Sequence, residues 1–207
     1  MNTSAVPGAC ASQMSTIDLA QDVSAYLDRL KAVIDRLDVG QIESVVEQLL
    51  GVRERGGVVY VFGNGGSAAT ASHFVNDFNK GASAGLARKF RFCCLNDNVA
   101  TVLAIANDIG YDEVFRLQLE NYLERDDLVL AISGSGNSAN VLRAVDYANR
   151  SGAETVGLVG YDGGRLKKMV GHCIHVPIDD MQLVEDLHLV MNHVMMVTLR
   201  AHLAGTP

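Results

Sequence analysis

Residues 60–74 read YVFGNGGSAATASHF. Apolar, β-branched and aromatic side chains run straight into Gly63, Asn64, Gly65, Gly66 and Ser67, and alanine-rich residues then carry the chain to His73. A buried strand that turns through glycines into a helix is the repeating joint of a parallel sheet covered by helices. At such a joint the absence of Cβ atoms lets the main chain approach a ligand or a second element closely.

The joint recurs along the chain. Five short apolar runs bounded by turn formers read as strands: VVYVFG (58–63), FRFCCL (90–95), LVLAIS (128–133), ETVGLVG (154–160) and HCIHVPI (172–178). Longer segments of helical period lie between them, so the expected fold is α/β, a five-stranded parallel sheet flanked by helices. Ahead of the first strand, Leu19, Val23, Leu27, Leu30, Val33, Ile34 and Leu37 recur at helical spacing, the pattern breaks near Gly40, and it resumes over 42–50. This predicts an N-terminal helical hairpin. A long C-terminal helix is predicted over about 181–203; it is apolar almost all round, which points to a subunit interface. Residues 16–207 are expected to form one domain and the first fifteen to be disordered.

Composition narrows the function classes. A chain of 207 residues with 48% hydrophobic residues can build one sizeable core. Its formal net charge of −7 repels polyanions, which argues against nonspecific nucleic-acid binding and against an acidic membrane surface. No stretch is long and apolar enough to span a bilayer, and the first residues lack the basic and apolar regions of a secretory signal, so a cytosolic protein is expected. Four cysteines, at 10, 93, 94 and 173, show no C-x-x-C spacing and read as reduced thiols.

Two loops carry the chemistry. GNGGS (63–67) and SGSGNS (133–138) each follow a strand and open a helix, at equivalent ends of a parallel sheet. Backbone N–H groups with the hydroxyls of Ser133, Ser135 and Ser138 make an anion cradle, and phosphate is the anion that best fits it. Neither loop matches a dinucleotide or nucleoside-triphosphate fingerprint. His73 and Asp77, four apart, share one helix face, while the last helix offers Glu185, Asp186, His188, Asn192 and His193. Together His73, Asp77, Glu185 and His193 form a nitrogen and oxygen set suited to zinc or another divalent ion. Glu185 and His193 are about 12 Å apart along a straight helix at about 1.5 Å per residue, so the two converge only if their side chains bend inward, if the helix starts later, or if they serve different copies of the site. His188 is expected to pack, and Asp162 to make a turn with the glycines after it.

GNGGSAATASHF, ANDIG (106–110), AISGSGNSANV (131–141), GYDGGRL (160–166) and VEDLHLVMNH (184–193) occur in the order and spacing of one family. The sequence resembles SIS (sugar isomerase) domain proteins of the phosphoheptose isomerase type from about residue 17 onward. The resemblance implies a homotetramer with active sites at subunit interfaces, a zinc ion in at least some members, and aldose–ketose isomerisation of a phosphorylated sugar, sedoheptulose 7-phosphate, through an enediol. It assigns the catalytic pair to Asp77 and His193, metal binding to His73, Asp77, Glu185 and His193, and the phosphate loop to Ser133, Gly134, Ser135 and Ser138. Substrate contacts fall on Asn64, Gly65, Gly66, Ser67, Asp108 and Glu185. Three positions depart from the family pattern: Asp stands for Glu at 77, Glu for Gln at 185, and Gly for a frequent Thr at 134. The family arginine after the catalytic acid has no counterpart, although Lys80 is adjacent. Two other readings follow from the same resemblance: an isomerase of a different phosphosugar, such as an octose 8-phosphate, and a noncatalytic SIS regulator that binds a replication initiator.

Overall fold

The computed structural model describes residues 18–204, so the expected disorder of the first fifteen residues and Cys10 lie outside the described part. Five parallel strands form one sheet in the order β2-β1-β3-β4-β5, with β1 Val59–Gly63, β2 Phe92–Cys94, β3 Leu128–Ser133, β4 Glu154–Val159 and β5 His172–His175. All five expected strands are present, and the central ones are buried on both faces, as continuous apolar runs require. β2 and β5 are shorter than their apolar runs because they lie at the edges. At the free edge of β2 the Asn79 side chain takes both main-chain groups of Phe92, at 2.9 and 2.8 Å, and so stands in for a further strand.

Helices cover both faces. Val45, Leu49 and Val52 of α2 (Val39–Arg55), Phe74 of α3 (Gly66–Asn76) and Met191, Met195 and Leu199 of α8 (Met181–Ala204) pack on the side chains of Val59, Val61, Leu128, Leu130 and Ile132. On the opposite face, α4 (Val99–Asp108), α5 (Arg116–Tyr122), α6 (Ala139–Ser151) and the single turn α7 (Leu166–Met169) enclose Tyr60, Phe62, Val129 and Ala131.

The N-terminal hairpin is present, with one change. Its break lies at residues 35–38, between α1 (Leu19–Ile34) and α2, rather than at Gly40. Asp38 sets the start of α2 by accepting from the backbone N–H of Gly40 and Gln41, and this side-chain cap outweighs the glycine in the first turn. Helix α1 buries only Val33, while Leu19, Val23 and Leu27 stay 70%, 60% and 48% exposed along one face. Tyr26 donates to Asp186 at 2.5 Å and Arg29 pairs with Asp180, which ties α1 to the start of α8.

Strand order reverses between β1 and β3, because the chain leaves β1 toward β2 on one side and returns through β3 on the other. In an open α/β sheet the crevice at such a reversal, beyond the carboxyl ends of the strands, is where ligands bind. Both glycine and serine loops leave the sheet there.

His188 packs, as its sequence context suggests, and is 1% exposed with no hydrogen-bond partner within range on either ring nitrogen among the described residues. Burial pushes its imidazole from 6.5 down to about 4, and the nearby Val159 main chain pulls only weakly the other way. Because the folded form resists the proton that the unfolded chain accepts, the contribution is intact above pH 6.5 and is lost as the pH falls toward 4. Between pH 7 and pH 5 the protein is expected to lose roughly 2 kcal/mol more stability than a His188→Leu variant. Urea unfolding of both proteins at the two pH values measures this, and equal losses would remove the account.

Candidate active site

The first part of the site is the crevice between β1 and β3. Asn64, Gly65, Gly66, Ser67, Ser133, Gly134, Ser135, Ser138, Met181 and Glu185 line a cavity of about 230 Å³, which brings the two sequence-predicted loops together. The glycines leave room for side-chain ends of α8. A Cβ on Gly66 would lie 2.4 Å from the Glu185 carboxylate, and one on Gly134 would lie 2.6 Å from the Met181 sulfur. Gly65 has φ +55°, a conformation that side chains disfavour.

The loops turn polar groups inward. Oγ of Ser133 accepts from the Gly136 N–H at 3.2 Å and Oγ of Ser135 from the Asn137 N–H at 3.3 Å, so both hydroxyl protons are available to a ligand. Neither α3 nor α6 has a side-chain cap, and both helices begin at this crevice. Their first-turn N–H groups and aligned peptide dipoles favour an anion between them.

Sequence reasoning missed the residues that orient Asn64. Its carboxamide forms a reciprocal pair with that of buried Asn140, with 2.9 Å in each direction, and the Tyr111 hydroxyl donates to the same Asn64 oxygen at 2.8 Å. Two donors therefore occupy Oδ1, and the remaining Nδ2 proton makes Asn64 a hydrogen-bond donor toward the crevice. Asn140 was visible as part of AISGSGNSANV, but only its spatial pairing gives it this task.

The second part lies farther along α3 and along α8, the helix that brings Met181 and Glu185 to the cradle. Nε2 of His73 is 3.2 Å and Nε2 of His193 is 3.5 Å from Oδ2 of Asp77, and the two Nε2 atoms are 3.0 Å apart. All three ligand atoms lie within 4.8 Å of one another, with the histidines on the open side and Asp77 more enclosed. Asp77 also begins a π-helical turn, Asp77–Ala82, where α3 widens against α8. Two imidazole nitrogens and a carboxylate oxygen this close fit a divalent ion such as zinc, whose ligands sit at about 2.0–2.2 Å, with one position left open.

Glu185 does not join this cluster within one chain. Helix α8 is continuous from Met181 to Ala204, so Glu185 and His193 remain separated along it, and the Glu185 carboxylate instead abuts Gly66 in the cradle. Asp108, at the exposed end of α4, accepts from Asn107 and is not among the residues lining the cradle. Asp162 makes the expected turn, with its carboxylate accepting from the Gly164 N–H at 2.9 Å.

The comparisons fit this geometry. Residues 24–160 match the SIS domain family. A phosphoheptose isomerase of Helicobacter pylori (strain P12) is 34% identical over 195 residues, covering 90% of this chain and 97% of the relative. The chain is a SIS-domain protein of the phosphoheptose isomerase family. A second member, from Chlorobium phaeobacteroides, is 36% identical over 86% of this chain and 79% of its own. Among solved structures, the phosphoheptose isomerase of Neisseria gonorrhoeae superposes with a TM-score of 0.81 at 28% identity, over 88% of this chain and 99% of that one. The enzyme of Francisella tularensis gives 0.82 at 25% identity, over 89% and 100%.

In this SIS domain the serine loop depends on its seat against residues 160–164. Gly136 has φ +63°, and a Cβ there would lie 2.2 Å from the carbonyl oxygen of Gly163. Gly136→Ala is expected to destabilise the fold by about 2 kcal/mol or more and to weaken binding of a phosphorylated ligand. Thermal unfolding and calorimetric titration with a sugar phosphate check both effects, and a variant matching the parent in both would contradict the packing argument.

Proposed function

We propose that the protein interconverts sedoheptulose 7-phosphate and D-glycero-D-manno-heptose 7-phosphate. The observation that carries this reading is the arrangement of two unlike sites on one helix pair: an anion cradle at the start of α3, and the cluster of His73, Asp77 and His193 two turns on. Gly66 and His73 are about 10 Å apart at about 1.5 Å per residue. That spacing suits a substrate whose phosphate is several carbons away from its reacting carbonyl.

In this reading Ser133, Ser135 and Ser138 hold the phosphate through hydroxyl and backbone N–H donors, with Gly134 leaving room beside them. Gly65, Gly66 and Ser67 form the opposite wall, and Asn64 donates to a sugar oxygen. Glu185 accepts from sugar hydroxyls at the cradle, and Asp108 is assigned to the sugar through the family resemblance alone. Asp77 and His193 act as the acid–base pair: one removes the proton from the carbon beside the carbonyl, an enediol forms, and the partner returns a proton to the neighbouring carbon. Alternatively, Asp77 or His193 would join His73 in holding a zinc or other divalent ion and leave the proton transfer to the other, with Glu185 reaching the ion only by leaving Gly66. When bound, the ion supplies Lewis-acid polarisation of the substrate's oxygen.

A homotetramer with sites at subunit interfaces is part of the proposal. Val99 and Leu103 on α4 are 61% and 62% exposed, and they and the α1 stripe are two separate apolar surfaces that further copies would cover. Among the described residues no helix is long and apolar enough to cross a membrane, so these faces do not read as spans.

Incubation with sedoheptulose 7-phosphate, followed by NMR of the sugar, is expected to show the aldose product, and no conversion would refute the reading. His193→Ala is expected to lower kcat by about 10²–10⁴-fold while leaving the fold intact. Chelation should reduce turnover and zinc restore it, and light scattering is expected to give four chains per particle.

A further inference from the structure

Asn192 is a polar side chain placed where apolar packing would cost less. It is 0% exposed on the buried face of α8, between Met191 and Met195 of the core, and its Oδ1 has no hydrogen-bond partner among the described residues. An orphaned buried acceptor is destabilising. Its Nδ2, by contrast, donates to Oδ2 of Asp77 at 2.6 Å. This oxygen is the atom that both imidazoles of the cluster meet.

The donors around Asp77 differ in permanence. Asn76 donates to Oδ1 at 3.2 Å from an exposed position. His73 and His193 lie at 3.2 and 3.5 Å from Oδ2, but a histidine nitrogen donates only while it carries a proton. When either imidazole accepts a proton from substrate or turns its lone pair to a cation, its contact with the carboxylate changes. The Asn192 amide neither titrates nor exchanges roles, and its enclosure in the core holds it still.

We propose that Asn192 is a positioning residue for the isomerisation: it fixes the side-chain rotamer of Asp77, and through Oδ2 the geometry of the His73, Asp77 and His193 cluster. The inference rests on the reading of Asp77 as a member of the acid–base pair. The unsatisfied Oδ1 is then the structural cost of presenting Nδ2 to the carboxylate from the dry side of the helix pair.

Asn192→Leu tests this, because it keeps the heavy-atom count and branching of the side chain and removes both the donor and the orphaned oxygen. A purely structural asparagine would lose nothing by it, so the thermal midpoint is expected to stay level or rise. The positioning role predicts that kcat falls about 10–100-fold with KM little changed, and that zinc affinity, measured by competition with a chromophoric chelator, weakens by a similar factor. Asn192→Ala, which cannot overpack the core, is expected to give the same losses and serves if leucine does not fold. A folded variant with unchanged kcat and unchanged zinc affinity would overturn the proposal. Asp77→Asn in the same assays separates the two claims: an inactive Asp77→Asn beside a fully active Asn192→Leu sinks only the positioning role. A fully active Asp77→Asn sinks the site reading on which that role rests.

Discussion

The site depends on how closely α3 and α8 run side by side on one face of the sheet. Both helices start near the carboxyl ends of the strands, with α8 offset by about one turn: Glu185 in its second turn meets Gly66 at the start of α3, and His193 meets His73 and Asp77 two turns later. A Cβ on Gly66 would lie 2.4 Å from the Glu185 carboxylate, so a side chain there would displace that flexible end from its place beside the helix start. The buried anchors on either side, Phe74 and Phe78 from α3 and its π-helical extension and Met191 and Met195 from α8, hold the pair against the strands.

The sheet supplies the second constraint. Reversal of strand order between β1 and β3 leaves the ends of two adjacent strands without a covering crossover, so the loops after them open into one crevice. The GYDGGRL segment (160–166) then fixes the serine loop from behind, through Gly160 N–H to Gly134 carbonyl at 2.8 Å and Leu166 N–H to Gly136 carbonyl at 2.9 Å. Anion recognition here comes chiefly from backbone and hydroxyl groups rather than from cationic side chains; among the described residues no lysine or arginine lines the cradle. A net charge of −7 is compatible with a phosphate ligand for this reason: dipoles aimed at short range do what bulk charge does not.

Polar groups inside the α8 interface divide by chemistry. His188 is held neutral by burial and packs over β4, whereas Asn192, one turn on, spends its amide on Asp77. They look alike in the sequence, as polar interruptions of an oily helix, and only their neighbours distinguish them. The three thiols among the described residues are free; Cys93 is exposed, while burial raises the thiol pKa at Cys94 and Cys173, consistent with packing rather than reactivity at those two positions.

Much of the architecture was legible along the chain. Continuous apolar strands, glycine-rich turns and helical spacing each depend on near neighbours in sequence, so periodicity alone determined the parallel sheet, the two loops, the N-terminal hairpin and the long last helix. The same local logic put His73 and Asp77 on one helix face. Distance between elements followed a different rule. Whether Glu185 sides with the metal-type cluster or with the cradle depends on the alignment of α8 along α3, and whether Tyr111 and Asn140 orient Asn64 depends on loops some fifty to eighty residues apart meeting in the crevice. The hairpin break at 35–38, a few residues before Gly40, was set by the side-chain cap of Asp38. Tertiary packing decided these points because side-chain convergence is set by helix position to within an ångström or so, a quantity that local pattern does not encode.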